Sequence, residues 1–186
     1  MLPQSYIQEI IDTENDLKRY LGETPMYLKR HFISYAKNGG QAASIGAVFP
    51  ILRELLDGAP APMVYYYALN SVEEATRYFC HPKLRKQLFE SAYALFSCEH
   101  HTINEVMQGN TFDIFQIHSC MTLFDGLCPN SIFAKVLRRF FNGEKEVETL
   151  HIIQGCILPT NTIWNRILFK IKGLFCQLSF LSLAAS

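Results

Sequence analysis

Residues that start and stop helices recur at short intervals between positions 71 and 143, and they constrain the fold more than any other feature. Ser71-Val-Glu-Glu74 and Thr102-Ile-Asn-Glu105 are capping boxes, in which a hydroxyl accepts from the N3 amide and a glutamate reaches back. Pro82 suits a helix start, and Asn142-Gly143 suits a helix end. This spacing predicts helices no longer than about 18 residues and excludes a long up-down bundle.

Apolar periodicity and the same signals predict a single compact all-α domain over residues 1–155, with about six to eight short-to-medium, mostly non-parallel helices. A C-terminal amphipathic helix is expected within 156–186. The predicted helices are Gln4–Leu21, Pro25–Lys37 with Thr24 as its cap, Pro50–Leu56, and segments running from Ser71 to Cys80, Pro82 to Ser97, Thr102 to Gly109, and Ser131 to Asn142. Met63–Leu69 and Phe112–Ile117 have a strand-like composition but no hairpin turn or pairing partner, so they are predicted to be helical or irregular.

The composition indicates a globular protein with a substantial core. The 186 residues are 49% hydrophobic and 18% charged, and the formal net charge is zero, which gives no indication of a nucleic-acid partner. The run Tyr65-Tyr-Tyr67 has no adjoining Lys or Arg, so core packing is the expected role there. No secretory signal and no membrane-length apolar run is visible, so a cytoplasmic protein is expected. Its cysteines lack C-x-x-C spacing, which favours buried free thiols at Cys80, Cys98, Cys120, Cys128, Cys156 and Cys176.

A family resemblance extends over about residues 63–150. The matching elements are Tyr66-Tyr-Ala-Leu69, Glu74-Ala-Thr with Tyr78, His81-Pro-Lys-Leu84, Ser119-Cys-Met-Thr-Leu-Phe124, Phe133 with Val136-Leu137, Phe140-Phe-Asn-Gly143 and Thr149-Leu150. In this order they resemble the bacterial family catalogued as domain of unknown function eighteen-ten, whose members are often labelled calpastatin. The resemblance implies an all-helical fold and little about chemistry.

The chain departs from the family pattern at several polar positions. Phe49-Pro50 matches the family's Phe-Pro-Gln element, but Ile51 replaces the glutamine. The segment 41–48 lacks the basic, His-Trp-Met-Trp-containing stretch that typically precedes this element. The family's lysine before its Ser-Ser pair is Gln116 here, and the second serine is Cys120. A polar site built from those family residues would be largely lost in this chain.

The densest polar cluster in the sequence is Asp113 with His118, Ser119 and Thr122. On a helix, Ser119 and Thr122 share a face at i, i+3, and His118 and Thr122 form an i, i+4 pair. These residues are candidates for the site of a small hydrolase or transferase. Adjacent helical residues point about 100° apart, however, so His118 cannot activate Cys120 directly. The competing interpretation is that small residues here permit close helix packing.

Metal and cofactor sites are not expected. Cys98-Glu-His-His101, with Cys80-His81 elsewhere in the chain, contains zinc-type ligands, but its spacing fits no zinc template and it adjoins a helix cap, as a solvated loop would. No glycine-rich phosphate loop, G-x-S-x-G or H-E-x-x-H motif occurs.

The C-terminal segment differs in composition from the rest of the chain. Residues 151–186 contain three Lys or Arg and no acid. Apolar residues recur at helical spacing, which predicts an amphipathic helix over 164–181. Its expected interaction residues are Trp164, Ile171, Leu174, Phe175 and Leu178. This face is expected to dock on the helical domain or at a homo-oligomer interface, and the alternative is a membrane surface.

Two functions remain open from the sequence. The leading hypothesis is a binding or interaction module without catalysis, because the known catalytic motifs and the family's basic stretch are missing. The rival is the small hydrolase or transferase centred on Asp113, His118, Ser119 and Thr122. Whether the protein is an enzyme is left undecided.

Overall fold

A computed structural model describes residues 16–38, 45–56 and 62–157 of the chain. Residues 16–21 form α1. The other helices are α2 (Glu23–Asn38), α3 (Pro62–Tyr66), α4 (Val72–Cys80), α5 (Pro82–Phe96), α6 (Ile103–Val106), α7 (Thr111–Leu127), α8 (Ile132–Phe140) and α9 (Val147–Ile157), with 3-10 turns at Ile45–Ala47 and Arg53–Leu56. The all-α fold class is confirmed. In these ranges, strand-type pairing is limited to a single bridge between Leu52 and Leu69.

Most of the predicted helix caps are present in the structure. Thr102 and Glu105 form the reciprocal capping box. Ser71 Oγ accepts from the Glu74 amide at 3.3 Å, but the Glu74 carboxylate accepts from Asn70 and not from the Ser71 amide, so only half of that box forms. Asn142 and Gly143 take positive φ angles of 54° and 80° after α8, as a left-handed helix end requires. His81 has a role that the sequence did not reveal: its amide donates to the last turn of α4, and its Nδ1 accepts from the Leu84 amide that starts α5.

Several predicted boundaries were wrong. α2 begins at Glu23, so Thr24 lies inside the first turn and does not cap the helix. The helix expected at Pro50–Leu56 is reduced to the 3-10 turn at Arg53–Leu56, because the chain at Ile51 and Arg53 is bonded instead to Leu69. The N-terminal part of the predicted helix at Gln4–Leu21 lies outside the described residues.

α7 forms the centre of the hydrophobic core. It packs against α8, α9, α6 and the turn at 45–47, while α5 packs against α2, α4 and α8. The ring of Phe124 on α7 lies 5.8 Å, centroid to centroid, from each of the rings of Tyr78, Phe79 and Phe133. These three rings come from α4 and α8, so one aromatic side chain holds three helices together.

Burial corrects some sequence assignments. Tyr93, an aromatic residue of the predicted helix from Pro82 to Ser97, is 63% exposed, and Phe140 and Phe141 at the end of α8 are only partly buried. Of the cysteines in the described ranges, Cys98 and Cys120 are buried free thiols as expected, whereas Cys80 is exposed. None of the helices in the described ranges is both long and apolar enough to cross a membrane.

The difference between Phe124 and Phe140 can be tested by truncation. Phe124 is fully buried, so Phe124→Ala is expected to lower the free energy of unfolding by about 3–5 kcal/mol through lost burial and a new cavity. Phe140→Ala, at a partly buried site at the end of α8, should cost clearly less. Urea denaturation measures both values, and equal costs would contradict this account of the core.

Candidate functional site

Lys29 on α2 is a buried lysine at the interface of three helices. Its side chain is 2% exposed. The ammonium Nζ donates to Gln87 Oε1 on α5 at 3.0 Å and to Tyr78 Oη on α4 at 3.2 Å. Within the described ranges it has no carboxylate partner. Lysines this deeply buried are rare, and those that occur are normally paired with an acid, which singles out this position.

The surroundings of Lys29 weaken its hold on its proton. Burial lowers the pKa of Lys29 to about 8, the Cys120 thiol opposes that shift, and the positive charge of Lys83 adds to it. The ammonium therefore remains mostly charged near neutral pH, but deprotonates far more easily than an exposed lysine.

The groups around Lys29 are held in their neutral forms. Tyr78 and Cys120 are both completely buried, and burial raises the pKa of each well above its ordinary value. Gln87 is oriented from its other end, since its Nε2 donates to Met26 Sδ. A thiol and a phenol that keep their protons are poor nucleophiles and poor bases. The cluster therefore presents one positive charge among neutral partners.

A second polar network anchors α1 beside this cluster. Arg19 pairs with the buried Glu74 and also donates to Ala68 O at 2.9 Å. The other carboxylate oxygen of Glu74 accepts from the amide and the side chain of Asn70, at 2.6 and 2.8 Å. Tyr20 Oη donates to the carbonyl of Tyr67 at 2.6 Å. These bonds hold α1 against α4 and the segment between α3 and α4.

A cleft of about 430 Å³ opens over the first turns of α2, and we name it the lysine cleft. Met26, at its wall, touches Gln87 and so separates the cleft from the Lys29 ammonium. The cleft is lined by two cations, Arg30 from α2 and Lys83 from α5, and by one acid, Glu23. The lining residues are Leu21, Gly22, Glu23, Met26, Tyr27, Arg30 and Lys83.

Two of the positions at which the sequence resemblance predicts a departure from the family pattern, Gln116 and Cys120, lie on α7. Gln116 Nε2 donates to the carbonyl of Phe49 at 3.3 Å, and a Cβ added to Gly46 would meet the same amide nitrogen at 3.3 Å. Cys120 is one turn further along α7 and close enough to Lys29 to influence its charge. Of these two side chains, Cys120 is therefore the one that belongs to the surroundings of Lys29.

The four residues of the sequence-predicted polar cluster lie in different surroundings. Asp113 is bound to its helix cap, accepting from Asn110 Nδ2 at 2.8 Å, and partial burial raises its pKa. Thr122 is buried, and its Oγ1 accepts from the Glu146 amide at 2.9 Å. Ser119 is buried as well, with no hydrogen-bond partner for its Oγ among the described residues.

His118 is occupied by contacts on the protein surface. Its ring stacks on Phe141, with centroids 4.1 Å apart and planes 4° apart, and its Nε2 donates to the Glu144 carbonyl at 2.9 Å. It makes no hydrogen bond to Ser119. The hydrolase or transferase hypothesis therefore has no shared hydrogen-bonded site among its four residues in this structure.

The histidine-rich loop after α5 serves as a support for Arg139. The guanidinium donates to the carbonyls of Cys98 at 2.8 Å and His100 at 2.9 Å, and it also bonds Phe96 O. In the described ranges, no group of three His, Cys, Asp or Glu side chains converges as a metal site would require. The predicted interaction residues Trp164, Ile171, Leu174, Phe175 and Leu178 lie outside those ranges.

Lys29 was missed by the sequence analysis, although a signal for it exists. Pro25, Lys29 and Phe32 are spaced by four and three residues, which places them on one face of α2, and all three are buried. A lysine in the middle of an apolar stripe is unusual and can be recognised without a structure. Its partners could not be found this way, because they come from helices about 50 to 60 residues away.

The lowered pKa of Lys29 predicts a distinctive dependence of stability on pH. An unfolded lysine titrates near its ordinary value, so between about pH 8 and pH 10 the unfolded chain binds more protons than the native protein. The wild type should therefore gain about 2 kcal/mol of stability relative to Lys29→Met across that window.

Denaturant titrations at a series of pH values, taken as wild type minus variant, measure this gain. Lys86→Met, at a side chain that is 77% exposed on α5, is the matched control and should show a flat difference. A flat difference for Lys29→Met as well would contradict the buried state of the ammonium.

Comparisons with known proteins agree with the helical architecture. A family described as "Protein of unknown function (DUF1810)" matches residues 15–153. Among solved structures, the chain is similar to the conserved hypothetical protein Rv1873 from Mycobacterium tuberculosis, whose crystal structure was determined at 1.38 Å. The two are 28% identical with a TM-score of 0.63, over 73% of this chain and 94% of that one. No curated protein matches the chain. The resemblance drawn from its motifs is thus confirmed: the chain belongs to the DUF1810 family of proteins of unknown function.

Proposed function

We propose that this protein is a binding module whose ligand is a small organic anion held in the lysine cleft. The observation that carries the proposal is the Lys29 ammonium, which is buried and has only neutral hydrogen-bond partners among the described residues. A buried charge without a counter-charge costs free energy, and an anion bound nearby offsets part of that cost.

The lining of the cleft supports an anionic ligand. Arg30 and Lys83 provide exposed donors that form charge-assisted hydrogen bonds with carboxylates or phosphates, and Glu23 is the one acid among the lining residues. Lys83 is close enough to Lys29 to affect its ionisation. Two cations thus line a cleft with a single acid, and the third, Lys29, is buried behind its wall. Their combined field favours a negative ligand.

The neutral state of the interior supports binding in preference to catalysis. Tyr78 and Cys120 keep their protons, so neither is activated as a nucleophile or base, and Lys29 is mostly positively charged near neutral pH. A binding site of this kind depends on the protonation of Lys29. Affinity should therefore fall as the pH rises through about 8, where Lys29 loses its charge.

The proposal is tested with a thermal-shift panel of inorganic phosphate, pyrophosphate, citrate and nucleoside monophosphates, followed by calorimetry on any anion that stabilises the protein. Lys83→Glu should weaken that anion's binding at least about 10-fold, because it reverses a charge at the cleft. Lys86→Glu is the matched control, since Lys86 is on the same helix but does not line the cleft.

Two further outcomes follow from the role of Lys29. Lys29→Met should weaken binding of the same anion. It should also remove the decline in the protein's affinity for that anion above about pH 8. Raised salt should weaken binding to the wild type. The proposal is overturned if no anion of the panel stabilises the protein, or if Lys83→Glu binds as tightly as Lys86→Glu.

A further inference from the structure

A second cavity lies on a different face, between α2, α5 and α8, and we name it the apolar groove. It has a volume of about 560 Å³. Ile33 lines it from α2, Phe89, Tyr93 and Ala94 from α5, and Ile132 from α8, with Glu90 and Ser97 as its polar members. Tyr93 is 63% exposed. An open apolar surface at the junction of three helices is typical of a docking site.

We propose that residues 164–181 of the same chain dock as an amphipathic helix in the apolar groove. The interaction residues of this segment, among them Trp164, Ile171 and Phe175, recur on one face at helical spacing, so a single helix can present all of them to the groove. A helix laid in an apolar groove is a recurring mode of protein recognition, and it buries its apolar face as it binds.

Charge selects this segment over the other end of the chain. Residues 158–186 contain Arg166, Lys170 and Lys172 and no acid, whereas residues 1–15 contain three acids and no Lys or Arg. The charged residue of the groove is Glu90, which is half exposed and only 3.9 Å from Lys86, a weak pair between solvated side chains. A basic segment is attracted to that carboxylate, and an acidic one is repelled.

The length of the segment also fits. α9 ends at Ile157, and residues 158–163 can span roughly 20 Å when extended. An 18-residue helix over 164–181 is about 27 Å long, which exceeds the roughly 22 Å of the 15-residue α5 that forms the groove's wall. A helix over 164–181 is therefore long enough to run along the whole groove, with residues 158–163 as its connection to α9.

Trp164 makes the proposal directly measurable, because it is the single tryptophan of the chain. In the 186-residue chain, the fluorescence emission of Trp164 should be blue-shifted relative to that of a solvent-exposed tryptophan. Acrylamide should quench it only weakly, and both properties should be the same at every protein concentration. Tyr93→Lys and Glu90→Lys place positive charge in the groove and oppose the basic segment. Both should move the emission to the red and raise quenching several-fold.

Tyr66→Lys is the matched control, since Tyr66 is a similarly exposed tyrosine, at 54%, that lines neither the groove nor the lysine cleft. It should leave the Trp164 emission unchanged. Circular dichroism melting of each variant checks that the helical domain stays folded. We expect it to do so, because Tyr93 and Glu90 are both substantially exposed.

Three results would overturn the proposal. A blue shift that disappears on dilution would mean that the segment docks on a second copy of the chain. A red-shifted wild-type emission that turns blue only with vesicles containing anionic lipid would mean that it binds a membrane surface. Emission that is the same in the wild type and in both groove variants would mean that the groove is not its site.

Discussion

The rest of the structure depends on α7, a helix buried around most of its circumference. Ten of its seventeen residues are buried, including Gln116, Ser119 and Thr122. A helix without a solvent face cannot lie on the surface of a bundle, so other elements must cover it on several sides. α8, α9, α6 and the turn at Ile45–Ala47 do this, and the ring of Phe124 joins it to α4. The short helices are arranged around this requirement.

Covering α7 brings charged groups into the interior, and the protein accommodates them in two ways. Arg19 and Glu74 enter as an ion pair, and each forms further hydrogen bonds, which offsets the cost of burial. Lys29 is buried with neutral partners, and the free energy needed to bury its charge lowers its pKa to about 8. The first arrangement joins α1 to α4. The burial of Lys29 leaves a positive charge close to the lysine cleft, and this charge is the basis of the proposed anion binding.

The sequence resemblance predicts that Gln116 and Cys120 occupy positions where the family has lysine and serine. The structure places both side chains in the interior, where Gln116 Nε2 donates to the carbonyl of Phe49 and Cys120 keeps its proton close to Lys29. Neither side chain carries a charge, so neither offsets the positive charge of Lys29.

The sequence by itself determined most of the helices and the ends that have local caps, because a cap such as Ser71 or a terminus such as Asn142-Gly143 acts on neighbouring backbone groups. The sequence also predicted that Phe112–Ile117, at the start of α7, is helical or irregular and not a strand. Only the tertiary structure decided which faces are buried. Tyr93 is aromatic yet exposed, while Lys29 is polar yet buried. Burial depends on which helices pack together, and those contacts join residues far apart in the chain, which local patterns do not record.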